Sequence, residues 1–417
     1  MRILINDFAG HPFQLQLSRT LAARGHEVLH TYCASNLSPK GAVERREDDP
    51  ANFAVHKITL DAPFEKYGLL KRWSQERRIG RAVVDAIKSF KPERIISANT
   101  PLGAQGAILR HARAQNIPFV FWVQDMLGIG IQAQLRRRLP GLGAVIGTGF
   151  RMYEELQLIL SSHVVAISGD FLNHFPSLLM RRKNITVIEN WAPLAELPLR
   201  DRDNAWSARN GLDGKTCLLY AGTLGLKHNP ELLVRLAQTF QDRPDVQVVV
   251  ISEGLGAQFL ADRKSELGLQ NLVLLPFQKF DDMPDVLASA DILVSILEKE
   301  AGIFAVPSKV LTYLCAARPL LLAMPEENLA ARIVRLNGAG FSAPPDDPEA
   351  FAAVARHLVT SPCLRAKMAI RARTYAERTF DIEQIATRFE AVLARAAKSA
   401  ESAAPIEDRK FETSWSA

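Results

Sequence analysis

The sequence has little cysteine. Its four cysteines, at positions 33, 217, 315 and 363 of 417 residues, lie far apart along the chain. No two of them have the close spacing that is typical of a zinc site or a redox dithiol. We therefore expect reduced, mostly buried thiols, which excludes a cysteine-based zinc module and a disulfide scaffold.

The sequence also lacks an uninterrupted apolar run of about 18 residues, which is the length that a membrane-spanning helix needs. The first residues, MRILINDF, form a short apolar strand that runs into polar residues, and this strand is too brief for the core of a signal peptide. We therefore expect a cytoplasmic protein that does not cross a membrane.

Charge of one sign is not in large excess over the whole chain, whose formal net charge is +6. The two halves differ, however. Residues 1–200 contain 26 Lys+Arg and 17 Asp+Glu, whereas the remainder contains 25 and 28. The basic N-terminal half favours an anionic partner, either a membrane surface or a nucleic acid, and a solvated basic face without a partner remains an alternative.

What the sequence does have is enough apolar material for two domains. A chain of 417 residues exceeds what one hydrophobic core usually organises, so we expect two domains of roughly 150 to 200 residues each. Apolar residues make up 47% and charged residues 23%, which is ordinary usage for a globular protein and can fill two cores.

Strand and helix patterns alternate through the first half, which predicts a parallel sheet. The predicted strands are Arg2–Asn6, Glu27–Tyr32, Arg94–Ser97, Pro118–Val123, His163–Ile167 and Ile185–Ile188. The predicted helices are Pro12–Arg24, Ile79–Phe90 and Gly103–Gln115.

The same alternation returns after a stretch without periodicity. The predicted strands of this second half are Thr216–Ala221, Val246–Ile251, Leu272–Leu275, Ile292–Ile296 and Pro319–Leu322. We therefore predict two tandem Rossmann-like, doubly wound α/β domains at residues 1–192 and 213–380, joined by a linker at 193–212. An amphipathic helix within 381–398 follows, and residues 399–417 are predicted to be a disordered tail.

Ligands of open parallel sheets bind beyond the carboxyl ends of the strands, so the loops that leave these strands are the candidate sites. In DFAGHPF, Gly10 allows close backbone approach and His11 precedes a helix, although an ordinary turn fits equally well. In GTLGLKH, the residues Gly222, Thr223 and Lys227 precede a helix and can hold a diphosphate; a glycine turn with a solvated lysine is the alternative.

Two more strand ends carry polar residues. SEGLG contains Glu253 and Gly254, but Gly254-x-Gly256 lacks the third glycine of a dinucleotide fingerprint, so no nicotinamide site is predicted there. EKEAGIFAVPSK places Glu298 and Glu300 before a helix whose first turn contains Pro307, Ser308 and Lys309. Free amides, a hydroxyl and an ammonium group together favour an anion, unless these residues only begin the helix.

With these loops, the chain resembles the family-4 glycosyltransferases of the GT-B fold over residues 1 to about 395, particularly their exopolysaccharide and O-antigen branch with its colanic-acid-type enzymes. The motifs that carry the resemblance are GHPFQLQLSRTLAARGHEV at 10–28, FWVQD at 121–125, AISGDF at 166–171, VIENWAP at 187–193, LLYAGTLGLKHNPELL, LPFQKFDDMPDVLASADILV and PSKVLTYLCAARPLL.

The resemblance implies a retaining, metal-independent and cofactor-free transfer from a nucleotide sugar, a UDP- or GDP-sugar, to an acceptor on the N-terminal domain. It implies that the C-terminal helix returns to that domain. Lys227, Ser308 and Lys309 would hold the diphosphate, Glu253 and Gly254 the nucleoside, and Glu298 or Glu300 the donor sugar. Gly10 and His11 would close over the donor, and Asp125, at the end of FWVQD, would contact the acceptor or the sugar. Asp125 and Glu300 are the catalytic candidates.

The sequence departs from the family pattern at three positions. Many members have a second glutamate where Thr312 stands, a glycine where Ala317 stands and an arginine where Thr223 stands. Thr312 and Thr223 are kept as donor-site candidates, and the departures make Lys227 and Lys309 the main candidate cations.

Enzymes of this branch usually act on lipid-linked acceptors, and the basic half has residues that suit a bilayer surface. Trp73 lies among basic residues in 69–81, and Arg136, Arg137 and Arg138 precede an apolar, glycine-broken stretch at 139–150. The resemblance therefore implies peripheral association with the inner leaflet of the cytoplasmic membrane.

Three other functions compete with glycosyl transfer. A sugar-nucleotide epimerase can use the same two-domain fold, and the departures at positions 223 and 312 would suit a non-catalytic carbohydrate-binding protein. A nucleic-acid binder would explain the basic half. The sequence lacks the basic motifs with interleaved aromatics of a known nucleic-acid module, so we expect no nucleic-acid partner.

Overall fold

Two parallel β-sheets organise the chain in the computed structural model, which describes residues 1–36, 40–65, 69–139, 141–225, 228–303 and 306–403. The strands of the first sheet are β1 (Arg2–Asp7), β2 (Glu27–Cys33), β3 (Phe53–Ile58), β4 (Arg94–Ala98), β5 (Phe119–Val123), β6 (His163–Ala166) and β7 (Ile185–Val187). Their spatial order is β3-β2-β1-β4-β5-β6-β7, and every pair is parallel.

Helices cover both faces of this sheet, because each connection between two parallel strands crosses a face of the sheet and usually contains a helix. They are α1 (Pro12–Ala23), α2 (Leu69–Phe90), α3 (Leu102–Ala114), α4 (Leu127–Arg138), α5 (Leu142–Leu160) and α6 (Ser177–Arg182). Helices α4 and α5 form a tight antiparallel hairpin. A Cβ added at Gly147 would lie 2.7 Å from the Cα of Gln132, so glycine is what allows the two backbones to approach.

The second sheet has six parallel strands: β8 (Thr216–Ala221), β9 (Val246–Ile251), β10 (Leu272–Leu275), β11 (Ile292–Ile296), β12 (Leu320–Ala323) and β13 (Gly340–Ala343). Their order is β10-β9-β8-β11-β12-β13. The helices of this half are α7 (Ala205–Arg209), α8 (Glu231–Thr239), α9 (Leu255–Leu267), α10 (Met283–Ala288), α11 (Ser308–Cys315), α12 (Leu329–Leu336), α13 (Pro348–Val359), α14 (Pro362–Thr379) and α15 (Ile382–Ala403).

Both sheets reverse their strand order at an inner pair of strands. The reversal falls between β1 and β4 in the first sheet and between β8 and β11 in the second. At such a switch point the loops leaving the two strands run to opposite faces of the sheet and open a crevice. Each sheet therefore offers one crevice at the carboxyl ends of its strands.

The last helix, α15, packs against α1, β5 and β6 of the first sheet. Its Phe389 lies 4.7 Å from the ring of Trp122 on β5 and 6.1 Å from that of Trp191, while Phe13 of α1 contacts both tryptophans. The indole of Trp191 donates to Oε1 of Gln16 at 2.8 Å. Helix α15 is thus held to the N-terminal half by aromatic packing.

The predicted fold class, two tandem Rossmann-like α/β domains, is confirmed. The predicted strands do not include β3 and β13, which are both edge strands with little buried apolar surface. The predicted start of α2 is ten residues too late, because basic residues interrupt the apolar period there. The predicted linker contains α7, which is too short to show a period.

The predicted start of the tail at residue 399 needs correction. Helix α15 continues to Ala403, so residues 399–403 are helical. Residues 404–417 lie outside the described part of the chain.

Ala317 has a backbone conformation that favours glycine. It follows the end of α11 with φ of 51°, in the left-handed region, where a Cβ costs roughly 1 kcal/mol. This is the position at which the family pattern has glycine. Alanine in place of glycine therefore strains the backbone locally at residue 317, and the rest of the domain tolerates this strain.

We expect Ala317→Gly to raise the free energy of unfolding by about 1 kcal/mol, because glycine removes the Cβ penalty at positive φ. The neighbouring Ala316→Gly is the matched control. Ala316 has φ of −77°, so glycine there only adds flexibility and should lower stability. Chemical denaturation of both variants measures the effect, and equal changes at the two positions would contradict this explanation.

Candidate functional site

A cavity of about 600 Å³ lies between the two sheets, at the crevices that the strand reversals create. The first half supplies one wall, and four of its lining residues, Phe8, Asn99, Asp125 and Leu127, follow β1, β4 and β5. The second half supplies the facing wall through Thr223, Gly225, His228, Glu298, Glu300 and Ala301. The cavity thus collects loops from the carboxyl ends of strands in both domains.

Five of the predicted site residues line this one cavity, although they are spread over 176 positions of the sequence: Asp125, Arg137, Thr223, Glu298 and Glu300. The remaining predicted residues do not line it among the described residues. Lys227 lies outside the described residues, as does the side chain of Arg138.

The loop after β1 is organised by a buried carboxylate, Asp7. Its Oδ1 accepts from the backbone N–H of Ala9 at 3.1 Å, its Oδ2 accepts from that of His11, and Nδ1 of His11 lies 3.2 Å from Oδ1. Burial opposes ionisation, but the charge and hydrogen bonds of His11 outweigh it and hold the pKa of Asp7 below its usual value. Gly10, with φ of 75°, completes the turn.

His11 is thereby fixed beside the cavity. Its Nδ1 also lies 3.0 Å from Nδ2 of Asn99, which follows β4 and lines the cavity. Asn99 has φ of 53°, which asparagine tolerates better than most residues. Asn99 is not among the residues predicted from the sequence, where only its position directly after a strand indicates a role.

Close to Asp125, the start of α4 contacts a buried glutamate that was not among the residues predicted from the sequence either. Glu154 of α5 is 2% exposed, and its Oε2 accepts from the backbone N–H of Gly128 at 3.0 Å. A Cβ at residue 128 would lie 2.8 Å from that oxygen. Burial, and to a lesser degree the charge of Asp125, raises the pKa of Glu154 to about 7.

The loop after β8 is held from below by two buried tyrosines. The hydroxyl of Tyr220 donates to the carbonyl of Thr223 at 2.9 Å. The hydroxyl of Tyr313 accepts from the N–H of Ala221 at 2.8 Å and donates to its carbonyl at 3.1 Å. The N–H of Gly225 donates to Nδ1 of His228 at 3.1 Å. Thr223 and Gly225 are thus presented to the cavity by a fixed backbone.

The loop after β9 packs on the loop after β8. A Cβ at Gly256 would lie 2.4 Å from the Cβ of Leu224, so the two loops touch only because residue 256 is glycine. Glu253 is exposed, and its Oε1 accepts from the N–H of Phe277 at 3.0 Å. Gly254 has φ of 88° at the start of α9. The loops after β8 and β9, two of the three predicted site loops of the C-terminal half, are therefore in contact.

The loop after β11 reaches across the cavity. Oε1 of Glu300 lies 3.0 Å from Nη2 of Arg137, which belongs to α4 of the first domain. Burial, together with the charge of Glu300, raises the pKa of Glu298, and Arg137 opposes that shift. Arg137 was predicted to face a membrane; its side chain is 64% exposed at the rim of the cavity, where it also contacts the donor-site candidate Glu300.

Helix α11 begins at Ser308 behind the loop after β8. Nζ of Lys309 contacts the hydroxyl of Tyr220 and lies 3.7 Å from the centroid of its ring. Thr312 lies one turn further along α11 and is half-buried. Lys309 and Thr223 therefore meet at the same loop, although they are 86 residues apart.

The basic-apolar segments lie on the outside of the first domain. Trp73 is exposed on α2, with the guanidinium carbon of Arg77 4.7 Å from its ring centroid. Arg136 and Arg137 are exposed at the end of α4. Helix α5 exposes an apolar stripe whose members are between 38% and 71% exposed: Leu142, Val145, Ile146, Met152 and Leu156.

Two classes of site are not found within the described ranges. No three His, Cys, Asp or Glu side chains there come together as ligands for a metal ion. Of the helices that the structure describes, none is both long and apolar enough to cross a membrane.

Two family models match the chain. The model described as glycosyl transferase 4-like domain matches residues 10–191, and the one described as glycosyl transferases group 1 matches residues 203–375. Together they cover most of the chain, one model for each sheet.

Similar proteins match most of the length of the chain. WcaI of Escherichia coli K12, named as a putative colanic acid biosynthesis glycosyl transferase, is 25% identical over 395 residues, which cover 88% of this chain and 92% of that protein. Sucrose-phosphate synthase of Thermosynechococcus elongatus has a TM-score of 0.72 at 13% identity, covering 95% and 98% of the two chains. Anabaena HepE in complex with UDP and glucose has a TM-score of 0.67 at 17% identity, covering 94% and 99%.

The raised pKa of Glu154 predicts a pH-dependent stability. A carboxyl whose pKa rises from 4.5 to about 7 on folding stabilises the fold when protonated, and this contribution is lost as the pH rises between those values. A glutamine side chain in its place can still accept from Gly128 and carries no charge. We expect Glu154→Gln to gain stability relative to the wild type between pH 5 and pH 8, by up to about 3 kcal/mol.

Thermal unfolding midpoints across this pH range measure the effect. Glu155→Gln is the matched control, since Glu155 is the next residue and pairs with Arg151 at the surface at 3.0 Å. The control should keep most of the pH dependence of the wild type, because the charge of Glu155 contributes least to the raised pKa of Glu154. Parallel curves for wild type and Glu154→Gln would show that Glu154 does not titrate in this range.

Proposed function

The chain belongs to the family-4 glycosyltransferases of the GT-B fold, and we propose that it transfers a hexosyl group from a UDP- or GDP-sugar to a lipid-linked glycan acceptor. The transfer retains the anomeric configuration, uses no bound metal and serves the synthesis of a cell-surface polysaccharide. The name of WcaI supports the polysaccharide context. The UDP and glucose bound to HepE support a nucleotide-sugar donor.

The single observation that carries the proposal is the cavity between the two strand reversals. Acceptor-side residues such as Asn99 and Asp125 face donor-side residues such as Thr223 and Glu298 across it. A transferase that joins two substrates needs both held at one point, with the reacting atoms a few ångströms apart. A cavity with one wall from each domain supplies that arrangement.

In the proposed reaction, the bond between the anomeric carbon and the diphosphate oxygen breaks, and the acceptor hydroxyl forms a new bond to the same carbon. Retention requires that the acceptor approaches from the side of the leaving group. The hydroxyl proton then passes to an oxygen of the departing diphosphate. Negative charge develops on that diphosphate, so fixed positive groups near it lower the barrier.

The C-terminal half supplies the positive groups. Lys309 holds its ammonium group beside the loop after β8, and the first turn of α11 adds backbone N–H groups and the Ser308 hydroxyl. Lys227 and the Thr223 hydroxyl complete the diphosphate site in this proposal. Gly222 lets the diphosphate approach the backbone, and Glu253 and Gly254 contact the nucleoside.

The acidic residues of the cavity bind sugar hydroxyls. Glu298 and Glu300 contact the donor sugar, and Glu300 exchanges its ion pair with Arg137 for those hydroxyls. Asp125 contacts the acceptor hydroxyl or the sugar from the opposite wall. His11, oriented by Asp7, closes over the donor with Gly10. Thr312, where other members have a glutamate, makes at most a minor donor contact.

The donor assignment is tested by thermal stabilisation with a panel of nucleotide sugars. A ligand at 100 times its dissociation constant adds about 2.7 kcal/mol of stability, so the right donor should stand out. We expect Lys309→Ala to lower the affinity for that donor at least tenfold, because the diphosphate loses a charged partner. Lys299→Ala removes a cation that pairs with Asp346 at the surface, and should leave the affinity unchanged.

Product analysis with the same donor then separates the candidate reactions. A glycosyltransferase forms the elongated product only when a lipid-linked acceptor is added, whereas an epimerase converts the sugar of the donor unaided. Conversion without an acceptor would overturn the proposed transfer. Donor binding with neither reaction would favour a carbohydrate-binding role.

We further propose that the first domain lies on the inner leaflet of the cytoplasmic membrane through α5. The residues of its exposed stripe repeat at spacings of three, four and seven, so they lie on one face of the helix. Arg136 and Arg137 are exposed close to the start of that face. Apolar residues that enter the headgroup region and cations that meet anionic lipids are what a peripheral helix needs.

The glycine-rich hairpin connects this surface to the cavity. Helix α5 exposes the stripe, and α4, packed closely against it, lines the cavity with Ile131, Gln134 and Arg137. An acceptor whose lipid stays in the leaflet would therefore have to pass only α4 to reach the cavity. Trp73 of α2 is a second candidate contact on the same domain.

We expect Val145→Ser with Met152→Ser to reduce flotation with anionic liposomes severalfold, because burying each apolar side chain contributes about 1 to 3 kcal/mol. Arg136→Gln with Arg137→Gln should weaken the flotation mainly at low salt, since screened charges contribute less.

Leu255→Ser with Ile370→Ser is the matched control, because these residues are equally exposed on the second domain and should not matter. Equal flotation of all variants would exclude this surface. Equal binding to neutral and anionic vesicles would exclude the role of the arginines.

A further inference from the structure

The ammonium group of Lys309 is held in a defined position at the carboxyl end of β8. Lys309 is the second residue of α11, and its side chain extends to β8. Its Nζ contacts the hydroxyl oxygen of Tyr220 and lies 3.7 Å from the centroid of the Tyr220 ring. A cation above an aromatic ring is attracted by the electron density of that face. The tyrosine thus holds the ammonium group in two ways.

The hydrogen bonds around Tyr220 have a defined direction. Its hydroxyl proton goes to the carbonyl oxygen of Thr223 at 2.9 Å, which leaves an oxygen lone pair to accept from Lys309. Tyr220 is completely buried, and burial raises its pKa well above the usual value, so the phenol stays neutral. One hydroxyl therefore fixes both the lysine and the loop after β8.

Gly222 leaves the space that the lysine occupies. A Cβ at this position would lie 3.0 Å from Nζ and 3.2 Å from Cε of Lys309, and the backbone φ is 138°. Any other residue at 222 would press on the end of the lysine side chain. A guanidinium is planar and wider than an ammonium group, so we expect that an arginine at 309 would not keep these contacts.

Tyr313 is a second buried tyrosine beneath the loop after β8, and its contacts can be compared with those of Tyr220. It is buried on α11 one turn after Lys309, and its hydroxyl bonds only to the backbone of Ala221 among the described contacts. Both tyrosines support the loop after β8, but Tyr220 is the one that touches the ammonium group. A role in holding the loop and a role in holding the lysine can therefore be separated by experiment.

We propose that Tyr220 and Gly222 are positioning residues that hold Lys309 ready for the diphosphate of the donor and restrict this position to lysine. The inference rests on the proposed function, in which Lys309 binds that diphosphate. A long, flexible lysine loses conformational entropy when it binds a ligand. Contacts that order the side chain before the ligand arrives remove part of this entropy loss from the binding free energy. Preorganised charge is also what stabilises a leaving group most effectively.

The test measures the binding of UDP and GDP, and of uridine and guanosine, by titration calorimetry. Tyr220→Phe keeps the ring and removes the hydroxyl. We expect it to weaken binding of the preferred nucleoside diphosphate about tenfold and to leave the nucleoside, which lacks phosphates, unchanged. We expect Lys309→Arg to bind the diphosphate as weakly as Lys309→Ala, although it keeps the charge.

Combining variants separates positioning from general damage. In a Lys309→Ala background, Tyr220→Phe should cause no further loss of diphosphate affinity, since the lysine it positions is gone. Tyr313→Phe is the control, and any loss that it causes should be the same in both backgrounds. Thermal unfolding confirms that each variant is folded. Gly222→Ala is compared in the same two backgrounds, because only the part of its loss that disappears with Lys309→Ala reports displacement of the lysine.

The outcomes distinguish this inference from the function on which it rests. If the folded wild type binds neither UDP nor GDP, the proposed donor site is wrong and the inference falls with it. If the wild type binds one of them and Tyr220→Phe binds it equally well, the inference alone is overturned. An equal loss in both backgrounds would reduce Tyr220 to a structural support, and full affinity in Lys309→Arg would show that charge alone suffices.

Discussion

The docking of α15 on the first sheet is the constraint on which the rest of the structure depends. The chain leaves the first sheet after β7 and builds the second, and α15 then returns so that Phe389 packs on Trp122 and Trp191. Arg332 of α12 adds an ion pair with Asp170 at 2.7 Å between the two halves. Because each half supplies one wall of the cavity, the width of the cavity depends on these contacts, although they lie outside the cavity itself.

Two buried carboxyl groups behind the acceptor-side wall show how environment sets charge. Burial opposes ionisation of both Asp7 and Glu154. Asp7 has a histidine and its backbone N–H as partners, so its pKa is lowered. Glu154 accepts from backbone amides, which lower its pKa less than burial raises it, and the nearby acidic residues add to the rise, so its pKa is about 7. One group is a fixed anion that holds the loop with His11, and the other adjusts the charge under α4 as the pH changes.

Most of the fold could be predicted because buried parallel strands are continuous apolar runs, as in TCLLYA and VQVVVI. The strands that escaped prediction, β3 and β13, lie at sheet edges, where little apolar surface is buried and the pattern is weak. The candidate site was predicted less completely. Loops after strands were found by their glycines and charges, whereas Asn99, Glu154 and Tyr220 have ordinary local sequences and matter through contacts with distant residues.

The sequence by itself determined the alternation of strands and helices, hence the two parallel sheets, because periodicity and turn residues are local properties. It also determined that the polar loops follow β1, β5, β8, β9 and β11, and the family to which these loops point. Only the tertiary structure decided that Glu300 faces Arg137 across a cavity, that α5 exposes an apolar stripe and that Lys309 rests on Tyr220. The two contacts join residues that are remote along the chain, and the exposure of α5 depends on what packs against that helix, so all three are set by how sheets and helices pack.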